Sequence, residues 1–225
     1  NNVQYRVSKY DLSTGQYTEL WTYTGDDRVD VFGENTGKVN SMSDGSYVRM
    51  DSNGNFYIMT SSTGKENDTL IKVNFDKNTS EVIYTTDMEK LYSLQSDGEY
   101  LYFFESTQSR ETKSYFTAID MNGTLKAQYE MEYDEEFLEK AKKFYEQFPE
   151  DTSVVVDASE ICVYGIDERY ILMGSNTNSD VYKNLKSLNS KPSKKVITTG
   201  VGVINKMDYL NSGTASIKQI YQNLS

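Results

Sequence analysis

One plan is written four times along this chain. Residues 9–21, KYDLSTGQYTELW, run as an extended segment, an Asp, a polar turn and an alternating strand that ends in an aromatic residue. The plan returns from Lys72, from Ala118 and from Lys206, with turns at Asp76-Lys77-Asn78, Asn122-Gly123 and Asn211-Ser212-Gly213. Gly and Asn in such turns supply the positive φ that tight hairpins need. Between these copies lies a second, more apolar hairpin, at residues 47–58, 91–102 and 162–172. Its composition fits strands buried on both faces.

An apolar hairpin followed by a polar one makes a four-stranded unit. Gly54 and Gly98 mark the same turn in successive copies, and Asn74 and Asp120 do the same for the other turn. The repeat is therefore about 45 residues, inside the roughly 40–50 residue period of propeller blades. A single blade cannot bury both of its faces, so repetition serves burial. The expectation is an all-β fold, a β-propeller of four-stranded antiparallel blades, spanning residues 1–225 as one domain or a fragment of one. Four outer hairpins and three inner ones amount to three and a half blades. That number cannot close a ring, which points to part of a larger one.

Two stretches depart from the repeat. Residues 134–149 predict an inserted helix near 134–148: Phe137, Leu138, Ala141, Phe144, Tyr145 and Phe148 share a face, Asp134 can cap the start, and Pro149 stops the run. It reads as a helix packed over an inter-blade loop. Residues 176–195 are polar, contain Pro192 and several Lys, and read as a loop.

Composition narrows the function classes. The chain carries 23 basic against 34 acidic residues, a net charge of −11, which repels phosphate backbones and argues against a nucleic-acid partner. It has no histidine, which removes the usual general base, the usual zinc ligand and every Ser-His or Cys-His arrangement. The single cysteine, Cys162, lies in an apolar run and reads as a small buried hydrophobe. Tyrosine, at 19 residues, suits a pleated, half-buried surface. No run of 18 apolar residues predicts a membrane-spanning helix. The opening Asn1-Asn2-Val3 lacks a signal peptide, so either a leader has been removed or the chain is a piece of a longer one.

No residue is singled out as catalytic, and no cofactor is expected. Asp51 to Asn55 has oxygen side chains at alternate places, but its Gly falls fourth rather than sixth and Ser62 stands where a calcium loop needs Glu, so it reads as a β-turn. Asp26, Asp27 and Asp30 gather beside Arg28 and are the candidates for a hard cation, with solvated loop charge as the plainer reading. Two carboxylates about 5–10 Å apart would suffice to cleave a glycosidic bond. Among 34 acidic residues the sequence selects no such pair.

The segments NGNFYI and DGEYLYFF, taken with KYDLSTGQYTELW and KMDYLNSGTASIKQIY, resemble poorly characterised β-propeller proteins of Gram-positive, often gut-dwelling, bacteria, broadly similar to TolB-like propellers. The resemblance covers most of the chain except the 134–149 helix and the 176–195 loop. It implies an extracytoplasmic protein, secreted or held by a lipid anchor upstream, and transfers no active residue. The functional expectation is a binding module whose ligand is a glycan or a protein, with aromatic loop residues stacking on sugar rings or contacting a peptide. A glycan-processing enzyme using carboxylates or Tyr and Arg is the alternative, and a scaffold for protein partners is the third.

Overall fold

The computed structural model describes residues 2–26, 31–33, 36, 38–39, 47–61, 67–107, 114–130, 146, 161–176, 198–213 and 218–224. Every sheet among them is antiparallel and built mainly from consecutive strands. The chain divides into two compact units, Asn1–Leu94 and Gln95–Ser225.

In the first unit, β1 (Asn2–Asp11) and β2 (Gln16–Asp26) form a two-stranded sheet. The next sheet follows the order β3 (Lys38–Val39), β5 (Asn55–Ser61), β6 (Thr69–Asn74), β7 (Thr79–Thr85), while β4 (Val48–Met50) shares the β3 edge of β5. Short β3 and β4 together do the work of one strand. Asp68, only 2% exposed at its side chain, receives Lys90 Nζ at 3.2 Å and the Leu91 backbone N–H at 3.1 Å. A buried carboxylate needs such partners to offset its lost hydration.

The unit boundary falls inside β8 (Lys90–Ser96), which leads the meander β8, β9 (Tyr100–Ser106), β10 (Ser114–Asp120), β11 (Leu125–Glu130). The last sheet runs β12 (Ile161–Ile166), β13 (Tyr170–Asn176), β14 (Thr198–Asn205), β15 (Lys218–Leu224). Each is the up-and-down sheet of a propeller blade, so the all-β, four-stranded architecture expected from the repeat is the one observed.

Burial follows place in the sheet rather than hairpin type. Central strands β5, β6, β9 and β10 are buried along most of their length, while the outermost, β7 and β11, are largely exposed. The apolar seam thus crosses from the inner hairpin into the outer one, because only a strand with neighbours on both edges and cover on both faces loses all its water.

The fourth copy of the repeat is a correction. Residues 206–213 do not form a strand and turn; they form helix α1 (Lys206–Ser212) between β14 and β15, which still pair with each other. The Asn205 side chain caps the start by accepting the Asp208 N–H at 3.0 Å, and Gly213, at φ 65°, closes the end through its N–H to the Tyr209 carbonyl. These are recognised start and stop residues, Asn before and Gly after. The other three polar hairpins are present as β1–β2, β6–β7 and β10–β11. The expected 134–149 helix and most of the 176–195 loop lie outside the described residues; Glu146 alone of the former is described, and is helical.

Gly98 turns β8 into β9 at φ 93°, with open space where a Cβ would sit. Gly98→Ala should therefore cost about 1–2 kcal/mol through backbone strain alone. Urea unfolding would check this, and Gly98→Asn should lose less, since Asn tolerates that region better.

Candidate functional site

Aspartates at the turns fix the ends of the strands on which any site must be built. Asp51 Oδ1 accepts the N–H groups of Asn53 and Asn55 at 2.8 and 2.9 Å, and Oδ2 accepts Asn55 Nδ2 at 2.8 Å and the Tyr57 hydroxyl at 3.1 Å. Asp97 repeats this in the next blade: Oδ1 takes the N–H groups of Glu99 and Tyr100, and Oδ2 takes the Tyr102 hydroxyl at 2.8 Å. Asp167 holds the N–H groups of Arg169 and Tyr170 in the third. Both Asp51 oxygens are thus occupied by donors of their own turn, the hydrogen-bonded arrangement of an Asx turn.

The carboxyl of Asp51 ends below the ordinary range: burial pushes it up, and the Asn55 amide and turn N–H groups outweigh that. Burial and the facing Asp51 carboxylate push the Tyr57 phenol well up, so it stays a neutral donor. These groups stabilise structure and leave no proton poised for chemistry near neutral pH.

The first unit holds a crevice of about 200 Å³ lined by Trp21, Val31, Phe32, Val73, Asn74, Phe75, Asn78, Thr79 and Ser80. Trp21 comes from β2, Val31 and Phe32 from the segment after it, and the remaining six from the β6–β7 hairpin. The rings of Trp21 and Phe32 stack at 4.8 Å, and Trp21 meets Phe75 at 5.5 Å. Phe56, on the neighbouring strand β5, braces Phe75 edge-on at 4.9 Å. Val31, Val73 and Phe75 belong to the buried cluster of this unit, whereas Trp21 and Phe32 remain half-buried. Each aromatic pair adds about 0.5–1.5 kcal/mol beyond area burial, so the wall is stiff.

The opposite wall is polar. Val73 and Ser80 are cross-strand partners on the crevice face, and the Ser80 hydroxyl donates to the Phe32 carbonyl at 2.6 Å, fastening the aromatic segment to the hairpin. Asn78 sits at the hairpin tip with φ 51°, a conformation Asn tolerates. None of the nine lining residues is ionisable.

A second depression, about 160 Å³, is lined by Asn55, Lys72, Asn74, Thr79, Ser80 and Glu81. The pairs Asn74–Thr79 and Lys72–Glu81 alternate with Val73–Ser80, so strand geometry puts them on the other face of the hairpin. Lys72 Nζ and Glu81 Oε1 stand 3.8 Å apart there.

Of the expected cation ligands, Asp26 ends β2, and Asp27 and Asp30 lie outside the described residues. Among the described residues, no cluster of three His, Cys, Asp or Glu is placed to hold a metal, and no helix is long and apolar enough to cross a membrane. Cys162 takes its place in β12. The crevice is not legible in the sequence, because its contributors are scattered from Trp21 to Ser80. The one available signal was that Trp21 is the only tryptophan of the chain.

No protein-family model and no curated protein matches the sequence. Solved structures do match it. One is the β-propeller domain of the trilobed protease from Pyrococcus furiosus, with 9% identity and a TM-score of 0.48, over 100% of this chain and 55% of that one. An acylaminoacyl peptidase in complex with Z-Gly-Gly-Phe-chloromethyl ketone matches with 9% identity and a TM-score of 0.46, over 98% of this chain and 31% of that one. The acylaminoacyl peptidase of Pyrococcus horikoshii gives 9% and 0.45 over the same shares. This chain therefore spans about half the length of the first and under a third of the other two. None of them lends a residue role to this chain.

Proposed function

We propose that this chain is a binding module built of propeller blades, working outside the cytoplasm, and that the crevice beside Trp21 takes a glycan. The observation that carries the reading is the pairing of a half-buried aromatic wall, Trp21 and Phe32, with the Asn78 amide and the Ser80 hydroxyl, in a lining whose described residues are all uncharged. A sugar ring has the matching duality, C–H surface on one side and hydroxyl groups around its rim. Aromatic rings bind the first, and neutral side chains that both donate and accept bind the second. The described residues of the crevice lining include no carboxylate, so none of them favours the two-acid hydrolytic reading.

Trp21, as the sole tryptophan, reports on its own site. Titration with neutral saccharides should produce a saturable change in tryptophan emission. Phe32→Ala keeps the reporter and removes half of the exposed wall, and should weaken binding by about tenfold or more, a loss typical of one well-packed apolar contact. A blank glycan array together with unchanged emission would overturn the assignment.

A further inference from the structure

Granting that the crevice is a glycan site, we infer that it recognises the acetamido group of an N-acetylated hexosamine. The floor formed by Val31, Val73 and Phe75 is 8%, 4% and 7% exposed, and is apolar throughout. An ordinary hexose has no compact apolar substituent to offer such a floor; its hydroxyls would surrender water there without partners. The acetamido group carries a methyl, which suits the floor, and a planar N–H and C=O, which suit a rim made by the Asn78 amide and the Ser80 hydroxyl. The Asn78 carboxamide is itself a donor and an acceptor, so it can answer both.

Size points the same way. About 200 Å³ lies below the roughly 300–1,000 Å³ of sites that enclose a whole small molecule, so the space takes one ring or its substituent. Charge sets the other limit. A free amino sugar brings an ammonium group and a uronic acid a carboxylate, and none of the described lining residues can pair with either as an ion. Burying an unpaired charge is far more costly than burying a neutral amide.

The test uses Trp21 emission with five named sugars: N-acetylglucosamine, N-acetylgalactosamine, glucose, galactose and glucosamine. The acetamido sugars should bind roughly tenfold or more tightly than their parent hexoses, the usual worth of one seated methyl plus a paired amide. Glucosamine should bind more weakly than glucose. Asn78→Gly removes the carboxamide at a position whose φ of 51° glycine adopts freely, so the hairpin is retained. That variant should bring the acetamido sugars close to parity with glucose while its circular dichroism stays that of the wild type. Parity among the neutral sugars in the wild type overturns this inference and leaves the glycan reading standing. Silence toward all five sugars and a blank glycan array overturn both. A full acetamido preference in Asn78→Gly removes Asn78 from the recognition.

Discussion

Tyr209→Ala is expected to destabilise the second unit by about 3–5 kcal/mol, the range for removing a fully buried aromatic side chain. Tyr209 is 0% exposed although it lies on a helix of only seven residues. Its ring stacks on Phe116 at 5.0 Å, and its hydroxyl donates to the Phe116 carbonyl at 2.8 Å and the Ala127 carbonyl at 3.3 Å. One side chain thereby fastens α1, which belongs to the β12–β15 blade, onto β10 and β11. Tyr209→Phe keeps the ring and should lose about 1 kcal/mol, the net worth of one hydrogen bond. Because Trp21 lies in the other unit, the transition is best followed by circular dichroism. A loss in Tyr209→Ala no greater than in Tyr209→Phe would show that the stack contributes nothing.

Asp97→Ala is the second large effect, expected at about 3–5 kcal/mol, as for breaking one side of a buried ion pair. The side chains of Asp97 and Lys206 are only 9% and 13% exposed, and their charged atoms meet at 3.1 Å. Removing the carboxylate strands Lys206 and leaves the Tyr102 hydroxyl and two turn N–H groups without their acceptor. Burial alone would raise the Asp97 carboxyl; the N–H groups of Tyr100 and Glu99, the Tyr102 hydroxyl and Lys206 together bring it below the ordinary range. The native carboxyl therefore holds its proton less tightly than the same group in the unfolded chain. Its contribution is fully present above the unfolded value of about 4 and is lost as pH falls through the lower native value. Stability of the wild type should decline below about pH 4, and Asp97→Asn should flatten part of that decline. Identical acid profiles for the two proteins would refute the role assigned to this carboxylate.

Asp51, Asp97, Asp120 and Asp167 all recur at hairpin turns, and this regularity was legible in the sequence because a turn is local. An Asp followed within a few residues by N–H groups it can reach needs no distant partner. The tyrosines that complete two of these turns were harder to see. Tyr57 and Tyr102 alternate with apolar residues on strands β5 and β9, and read simply as good strand formers. Helix α1 resembles a hairpin in sequence for a related reason. KMDYLNSG has the same Asp, turn polarity and glycine as the true hairpins, and only the cap at Asn205 distinguishes it.

The crevice shows the limit most clearly. Its polar wall is a hairpin that the repeat predicts, but its aromatic wall depends on Trp21 and Phe32 meeting Phe75 across two sheets. By itself the sequence determined most of the strands, the hairpin pairing of neighbours and the blade as the unit of construction, since period-two alternation and turn chemistry act between near neighbours. Tertiary structure alone decided which aromatics share a wall, which strands lose all their water and which residue of a helix is buried. Those outcomes depend on what each sheet meets across roughly 10 Å of side chains, and the residues that meet there are dozens of positions apart.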